Sequence, residues 1–300
     1  MSKKETVYFK RNKYRSEDFL VNDLPLTRRA QFFDILKHEW KSLLLIGFFL
    51  FLFSIPYLTI DILHWFIKIN LPAQLESNGY TKEQIIQALQ YTEMLYELLL
   101  VPATLIVIIP IAGAARVLKR MVHGEGVLFK ADFLEGIKLN ILHYLLLTLF
   151  YALLRFISQF IYIYIGNLVL SEIVRGVSAG ILFGLFVPIL LFMFAQDAIY
   201  KLNLWINFKN SAQLTIRSIL VMWVFSLLIF SVYFLRLVQN IILKEAICTI
   251  LILVFVPWYL LALSLYTMSR FDIFINQEHY KEFYRKGLRP YDVTHQTNDL

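Results

Sequence analysis

The chain has 300 residues, with 29 Lys and Arg against 22 Asp and Glu; only 17% of it is charged and 58% is apolar. An ordinary soluble domain is roughly 25% charged, and a soluble protein of this size could not hide so much apolar surface. The composition excludes a soluble enzyme and a disordered chain, and the single cysteine, Cys248, excludes an internally disulfide-stapled domain.

The first 41 residues are too polar for a signal-peptide core, and the apolar run that follows is long and lacks an evident cleavage site. Lys3, Lys4, Lys10, Arg11, Lys13 and Arg15 alternate with Tyr8, Phe9 and Tyr14. The pattern suits anionic lipid, although Glu17, Asp18 and Asp23 dilute it and a cytoplasmic tail explains it more simply. Thr27 is placed to cap a helix over Arg28–Lys41 that leads into the membrane.

Crossing a bilayer takes about 20 mostly apolar residues. Ser42–Ile60, Leu98–Ala115, Gly176–Gln196, Ser218–Leu235 and Ala246–Ser269 are charge-free runs near that length, and Leu139–Ser171 is a sixth that carries Arg155. The runs are continuous rather than alternating, as helices require and barrel strands do not. The expected fold is all-α and polytopic, with six transmembrane helices at about 42–60, 98–115, 139–165, 176–196, 218–238 and 246–269. Residues 1–41 form the leading arm, 61–97 an extracytoplasmic insertion and 270–300 a tail.

Counted along this map, 23 of the 29 Lys and Arg fall on one side and five on the other. The bias predicts that both termini are cytoplasmic, and it accounts for the basic charge without nucleic acid.

In the insertion, Thr81 and Gln84 match a capping box, and Ile85, Ile86, Leu89 and Leu95 give a helical apolar face running into the second span. After that span, Gly124-Glu125-Gly126 breaks the chain. Phe129, Phe133 and Ile137 then recur every four residues among Lys130, Asp132, Glu135 and Lys138. This reads as an amphipathic helix lying in the cytoplasmic interface. Trp205, Phe208 and Ala212, with Lys201, Asn207, Lys209 and Asn210 on other faces, repeat the device. The candidate partner contacts are therefore Glu125, Phe129, Asp132, Phe133, Glu135, Lys138, Trp205, Phe208 and Lys209. The alternation of span, interfacial helix and span amounts to a weak internal repeat, a pattern found in transporters and in other membrane proteins.

Arg155 is the candidate intramembrane polar site. It lies about 7–14 Å below an aromatic belt at Phe160, Tyr162 and Tyr164, at 1.5 Å per residue. It reads either as an anion or substrate contact or, more simply, as a side chain snorkelling to headgroups. Asp197 reads as an interfacial carboxylate near Lys201, solvated or locally paired, and Asp132 and Glu135 as general acid/base groups or, more simply, as water-facing ones. Pro110, Pro188 and Pro257 interrupt spans two, four and six, where each removes a backbone bond. No catalytic, metal-ligand or phosphate-loop spacing stands out, so neither cofactor nor metal is expected.

Ser54-Ile55-Pro56 with Thr59, then Ala112-Gly113-Ala114-Ala115-Arg116, Gly124-Glu125, Asp132-Phe133, Gly136 and Lys138-x-Asn140, resemble stretches of the YesL-like family of bacterial membrane proteins. Phe208-Lys209-Asn210-Ser211 is loosely similar to that family's second inner helix. The likeness spans Asp34 to Val232, and the insertion Asp61–Glu97 departs from it. The resemblance implies a multi-pass accessory to carbohydrate uptake, with no catalytic residues. The expected function is a non-enzymatic accessory or regulatory subunit in the bacterial plasma membrane, partnered by lipid and by another membrane assembly such as a carbohydrate ABC importer. The alternative is a small-solute transporter or channel in its own right.

Overall fold

The computed structural model describes residues 24–289 apart from 165–167, 201, 232–234, 236–237 and 239. The basic arm before residue 24, Lys201 and the side chain of Tyr162 lie outside the described residues.

In hydrocarbon a segment must satisfy its own backbone, and the apolar runs accordingly form long helices. Helix α1 (Arg28–His38) starts where Thr27 Oγ1 accepts from Ala30 N at 3.2 Å, and it breaks at Glu39 rather than running on. Helices α2 (Trp40–Ser77) and α3 (Lys82–Val122) form a hairpin. Its turn uses Gly79 at φ 80°. The capping box is complete, with Gln84 N donating to Thr81 Oγ1 and Thr81 N to Gln84 Oε1 at 2.9 Å. At 1.5 Å per residue both helices are about twice as long as the 30 Å hydrocarbon core. Residues 61–97 are thus coaxial extensions of both spans, and the helical face expected beyond Thr81 belongs to α3 itself.

Helix α4 (Phe129–Tyr164) is continuous. The interfacial helix expected at Phe129–Lys138 is therefore not a separate element. It is the first turns of α4, packed against α3: a Cβ on Gly113 would lie 2.8 Å from the Phe133 ring, and one on Gly136 would lie 2.7 Å from Gly113 O. Asn140 Nδ2 closes the same seam by donating to Ala112 O at 3.3 Å. Small residues on facing helices let the backbones approach, which is how helices associate where apolar burial offers little drive.

Helix α5 (Leu168–Ile181) passes through a π-turn (Leu182–Phe186) into α6 (Val187–Tyr200). Helix α7 (Leu204–Arg217) then meets α8 (Ile219–Ser231) at a bend of 102°. Here the expected interfacial helix is a separate element, so the internal repeat breaks at its first copy. Its orientation also differs from expectation. Asn207, Ser211 and Thr215 are fully buried against the bundle, while Trp205 is 71% and Ile216 71% exposed. The last span is α9 (Ile241–Ile250), a second π-turn (Leu251–Phe255) and α10 (Val256–Phe271), followed by a third π-turn (Asp272–Asn276) and α11 (Gln277–His279).

Five of these helical stretches are long and apolar enough to cross a bilayer, and the bent pair α7–α8 is a sixth candidate. The contacts supply the sixth crossing. Arg289 N donates to Pro25 O at 3.1 Å, so the two described ends of the chain share one side and the crossings are even in number. Lys244, at the start of α9, pairs with Asp61, away from the end where Pro25 and Arg289 meet, so the chain changes ends between α7 and α9.

Two prolines explain two π-turns. Pro188 and Pro257 cannot bond to the carbonyls of Gly184 and Leu253, and in each case the helix widens just before the proline. One of these carbonyls meets a side-chain donor and the other a close backbone approach. Gly184 O accepts from Trp223 Nε1 at 2.7 Å. Leu253 O lies against Gly47, where a Cβ would come within 2.0 Å of it. Pro110 differs from the other two, for α3 runs through it unbroken.

Candidate functional site

The widened helices line a half-open cavity of about 710 Å³ between α3, α4, α6, α8 and the last span. Its wall is almost entirely carbon, with Ile108, Leu190, Phe225, Phe255 and Leu263 among the larger residues, and Ala115, Ala195 and Ala198 give it width. The hydroxyls on the wall are largely committed to backbone. Tyr144 donates to Phe194 O at 2.7 Å, Tyr259 to Phe225 O at 3.3 Å and Ser264 to Leu260 O at 2.7 Å. Thr148 is the exception, a buried hydroxyl without a hydrogen bond. Lys119 and His123 form the polar end of the cavity, on the side where the termini meet.

That side is closed by a clasp. Arg28 pairs with Asp272 at 2.8 Å and donates to Lys286 O at 2.9 Å. Gln31 Nε2 donates to Val122 O at 2.8 Å and to Gly287 O at 3.1 Å. Gly287, at φ 82°, touches the end of α3 so closely that a Cβ would lie 2.2 Å from Val122 O. Phe283 stacks on His123 with centroids 5.7 Å apart and lies beneath Lys119 at 5.5 Å. Burial lowers the His123 imidazole below its usual value. Burial likewise lowers the Arg28 guanidinium, while Asp272 favours its charged form.

Most of the proposed cytoplasmic contacts are consumed within this end of the chain. Glu125 bonds to Lys286 at 2.7 Å. The neighbouring His123, 3.8 Å away, and Lys286 together hold the Glu125 carboxyl at about 2; of the two, only Lys286 is within hydrogen-bond distance. Asp132 is 2% exposed, pairs with Arg120 at 2.5 Å and caps Leu128 N at 2.7 Å, so it does not face water as expected. Glu135 remains half open to solvent and pairs with Arg116 at 2.8 Å. Phe129 stacks on Phe133 and on Phe49, and Phe133 meets Phe49 at a tilt. Lys138, Trp205, Phe208 and Lys209 are exposed and stay available.

Arg155 does not snorkel as the simpler reading expects. It pairs with Glu97 of α3 at 2.8 Å; Glu97 is buried and Arg155 is largely so. Glu97, taken from the sequence as the end of the insertion, is the residue that reading missed. It belongs to a layer of charge that also contains Asp61–Lys244, Tyr96 donating to Asp61 at 2.7 Å, and His64 between Tyr96 and Glu93. The available signal was position, since Asp61, Glu97 and Lys244 all sit beside span ends on the same face of the map. Of the two readings of Asp197, the structure shows the locally paired one. It is 3% exposed, with His143 at 3.1 Å and Asn207 donating to it at 3.2 Å. Among the described residues no three His, Cys, Asp or Glu converge as a metal site.

The fold and this cavity define an all-α, multi-pass membrane protein. Compared with known protein families, curated proteins and solved structures, the chain has no match.

Proposed function

We propose that the chain is a non-enzymatic membrane carrier that binds an apolar or amphipathic small molecule in its central cavity. The carbon wall of that cavity is the observation behind this reading. Its volume lies within the range of small-molecule sites, about 300–1,000 Å³. A carbohydrate fits it poorly, because each sugar hydroxyl left unpaired there would cost roughly 1–3 kcal/mol and the wall hydroxyls are largely spent on backbone. The 23-to-five bias of Lys and Arg supports a plasma-membrane protein of bacterial type with both termini cytoplasmic.

The test uses Trp258, which lines the cavity. A brominated single-chain amphiphile titrated into the purified protein in nanodiscs is expected to quench a saturable part of the fluorescence. That part is lost in Trp258→Phe, and Ala195→Phe, which fills the cavity, abolishes saturation. Quenching that rises linearly with amphiphile and ignores Ala195→Phe would refute the reading.

The accessory-subunit reading has its own support. The α2–α3 hairpin beyond the spans carries Leu63 at 55%, Phe66 at 50%, Ile86 at 56% and Tyr91 at 58% exposure. Apolar side chains on an element that leaves the hydrocarbon suit a protein partner. The resemblance to the YesL-like family, carried by Ser54–Thr59 and Ala112–Asn140, points the same way, toward a carbohydrate importer. Cross-linking through a photoreactive residue at Tyr91 tests it. A discrete adduct with another membrane protein is expected, and adducts with lipid alone would refute it.

A further inference from the structure

We infer that the cavity ligand is a single-chain amphiphile with an anionic head, and that the head sits against Lys119 and His123. This rests on the cavity reading above and adds the headgroup chemistry and its place.

The cavity is long enough for an acyl chain. Its α3 wall runs from Ile108 to His123, about 22 Å at 1.5 Å per residue. One acyl chain spans one leaflet, about half of the 30 Å core. The remaining length leaves room for a head at one end.

Polarity decides which end. The wall between Ile108 and Leu118 offers a ligand nearly nothing but carbon, whereas Lys119 and His123 lie four residues apart and face the cavity together. His123 is 5% exposed, and neither ring nitrogen has a hydrogen-bond partner. A buried imidazole with both nitrogens unmatched is rare in a protein interior, and an oxyanion would accept from it. Lys119 brings positive charge to the same place, where its ammonium also reaches Ile199 O at 3.4 Å.

The carbonyl end of α3 would ordinarily oppose an anion. Here it is already answered, because Val122 O accepts from Gln31 at 2.8 Å and from Arg28 at 3.3 Å. Glu125 Oε1 lies 3.8 Å from His123 Nδ1, outside hydrogen-bond distance, and its charge is answered by Lys286 at 2.7 Å. The site is therefore electropositive at the mouth of an apolar sleeve, which matches a fatty carboxylate or a lysophosphate in charge and in shape.

The experiment extends the Trp258 titration to three brominated probes: dibromostearate, a brominated lysophosphatidate and dibromostearyl alcohol. At least one anionic probe is expected to bind about tenfold or more tightly than the alcohol, the scale of one charge-assisted contact. A difference between the two anions identifies carboxylate or phosphate as the head. The preference should vanish in Lys119→Met and in His123→Phe, which keeps the ring against Phe283, and persist in Lys119→Arg. Saturable binding of all three probes with equal affinity in the unaltered protein overturns the headgroup assignment while leaving the cavity reading in place. No saturable component for any probe overturns both. The comparison in the unaltered protein decides the matter even if a variant fails to fold.

Discussion

Arg155 and Glu97 meet at 2.8 Å across α4 and α3, with the two side chains 13% and 7% exposed. Removing one partner leaves a buried charge uncompensated, so Arg155→Ala or Glu97→Ala should destabilise the bundle by about 3–5 kcal/mol. The double substitution Arg155→Met with Glu97→Leu should recover most of that loss. Reversible unfolding in mixed micelles measures both. Equal stability of the single variants and the parent would show that the pair does not hold α3 to α4.

The Gly47 contact supports a steric prediction. Its Cβ would meet Leu253 O at 2.0 Å, and backbone on both sides leaves nothing flexible to yield. Gly47→Ala should cost about 1–3 kcal/mol, the usual range for overpacking. Gly176→Ala, where nothing lies within 4 Å, is the control and should change little. If the two alanines behave alike in the same unfolding assay, the close approach of α2 to the π-turn is wrong.

Trp223→Phe removes the only hydrogen bond seen to the Gly184 carbonyl from outside its own helix among the described residues. The expected loss is about 1 kcal/mol. Pro188→Ala gives residue 188 an amide, so the same Trp223→Phe change made on that background should cost less. A double-mutant cycle reads the difference, and strict additivity would contradict the account of the freed carbonyl.

The clasp should loosen in acid. Glu125 has a depressed folded value of about 2, against 4.5 when unperturbed. Its contribution is therefore fully present above about 4.5 and lost as the pH falls toward 2. Spin labels at the exposed Leu26 and Tyr284 should keep one distance distribution from pH 7 to about 4.5 and broaden below it. In Lys286→Met the broadening should begin at higher pH. Broadening between pH 7 and 5 in the unaltered protein would contradict the assignment.

The spans were legible because hydrocarbon imposes length and freedom from charge, rules that depend on residues alone. The caps at Thr27 and Thr81 were legible for a related reason, since each is a contact within one turn. Partners between helices were not. Arg155 stood out as a charge in a span, yet Glu97 lies 58 positions away and nothing local joins them. The helix expected in the interface at Phe129–Lys138 failed because an apolar stripe looks alike whether it faces lipid or Gly113. The stretches Ala112–Arg116 and Asp132–Asn140 turn out to be the two sides of that close helix seam. The cavity was invisible in sequence, being made from the spacing of helices; only the prolines at 188 and 257 hinted that two of them widen.

The most direct test of a ligand in the cavity is native mass spectrometry of the full-length protein released from its own membrane. A protein peak carrying one small amphiphile is expected, retained at collision energies that strip annular lipid and absent from Ala195→Phe. A spectrum in which Ala195→Phe and the parent carry the same adducts, or none, would contradict the cavity reading.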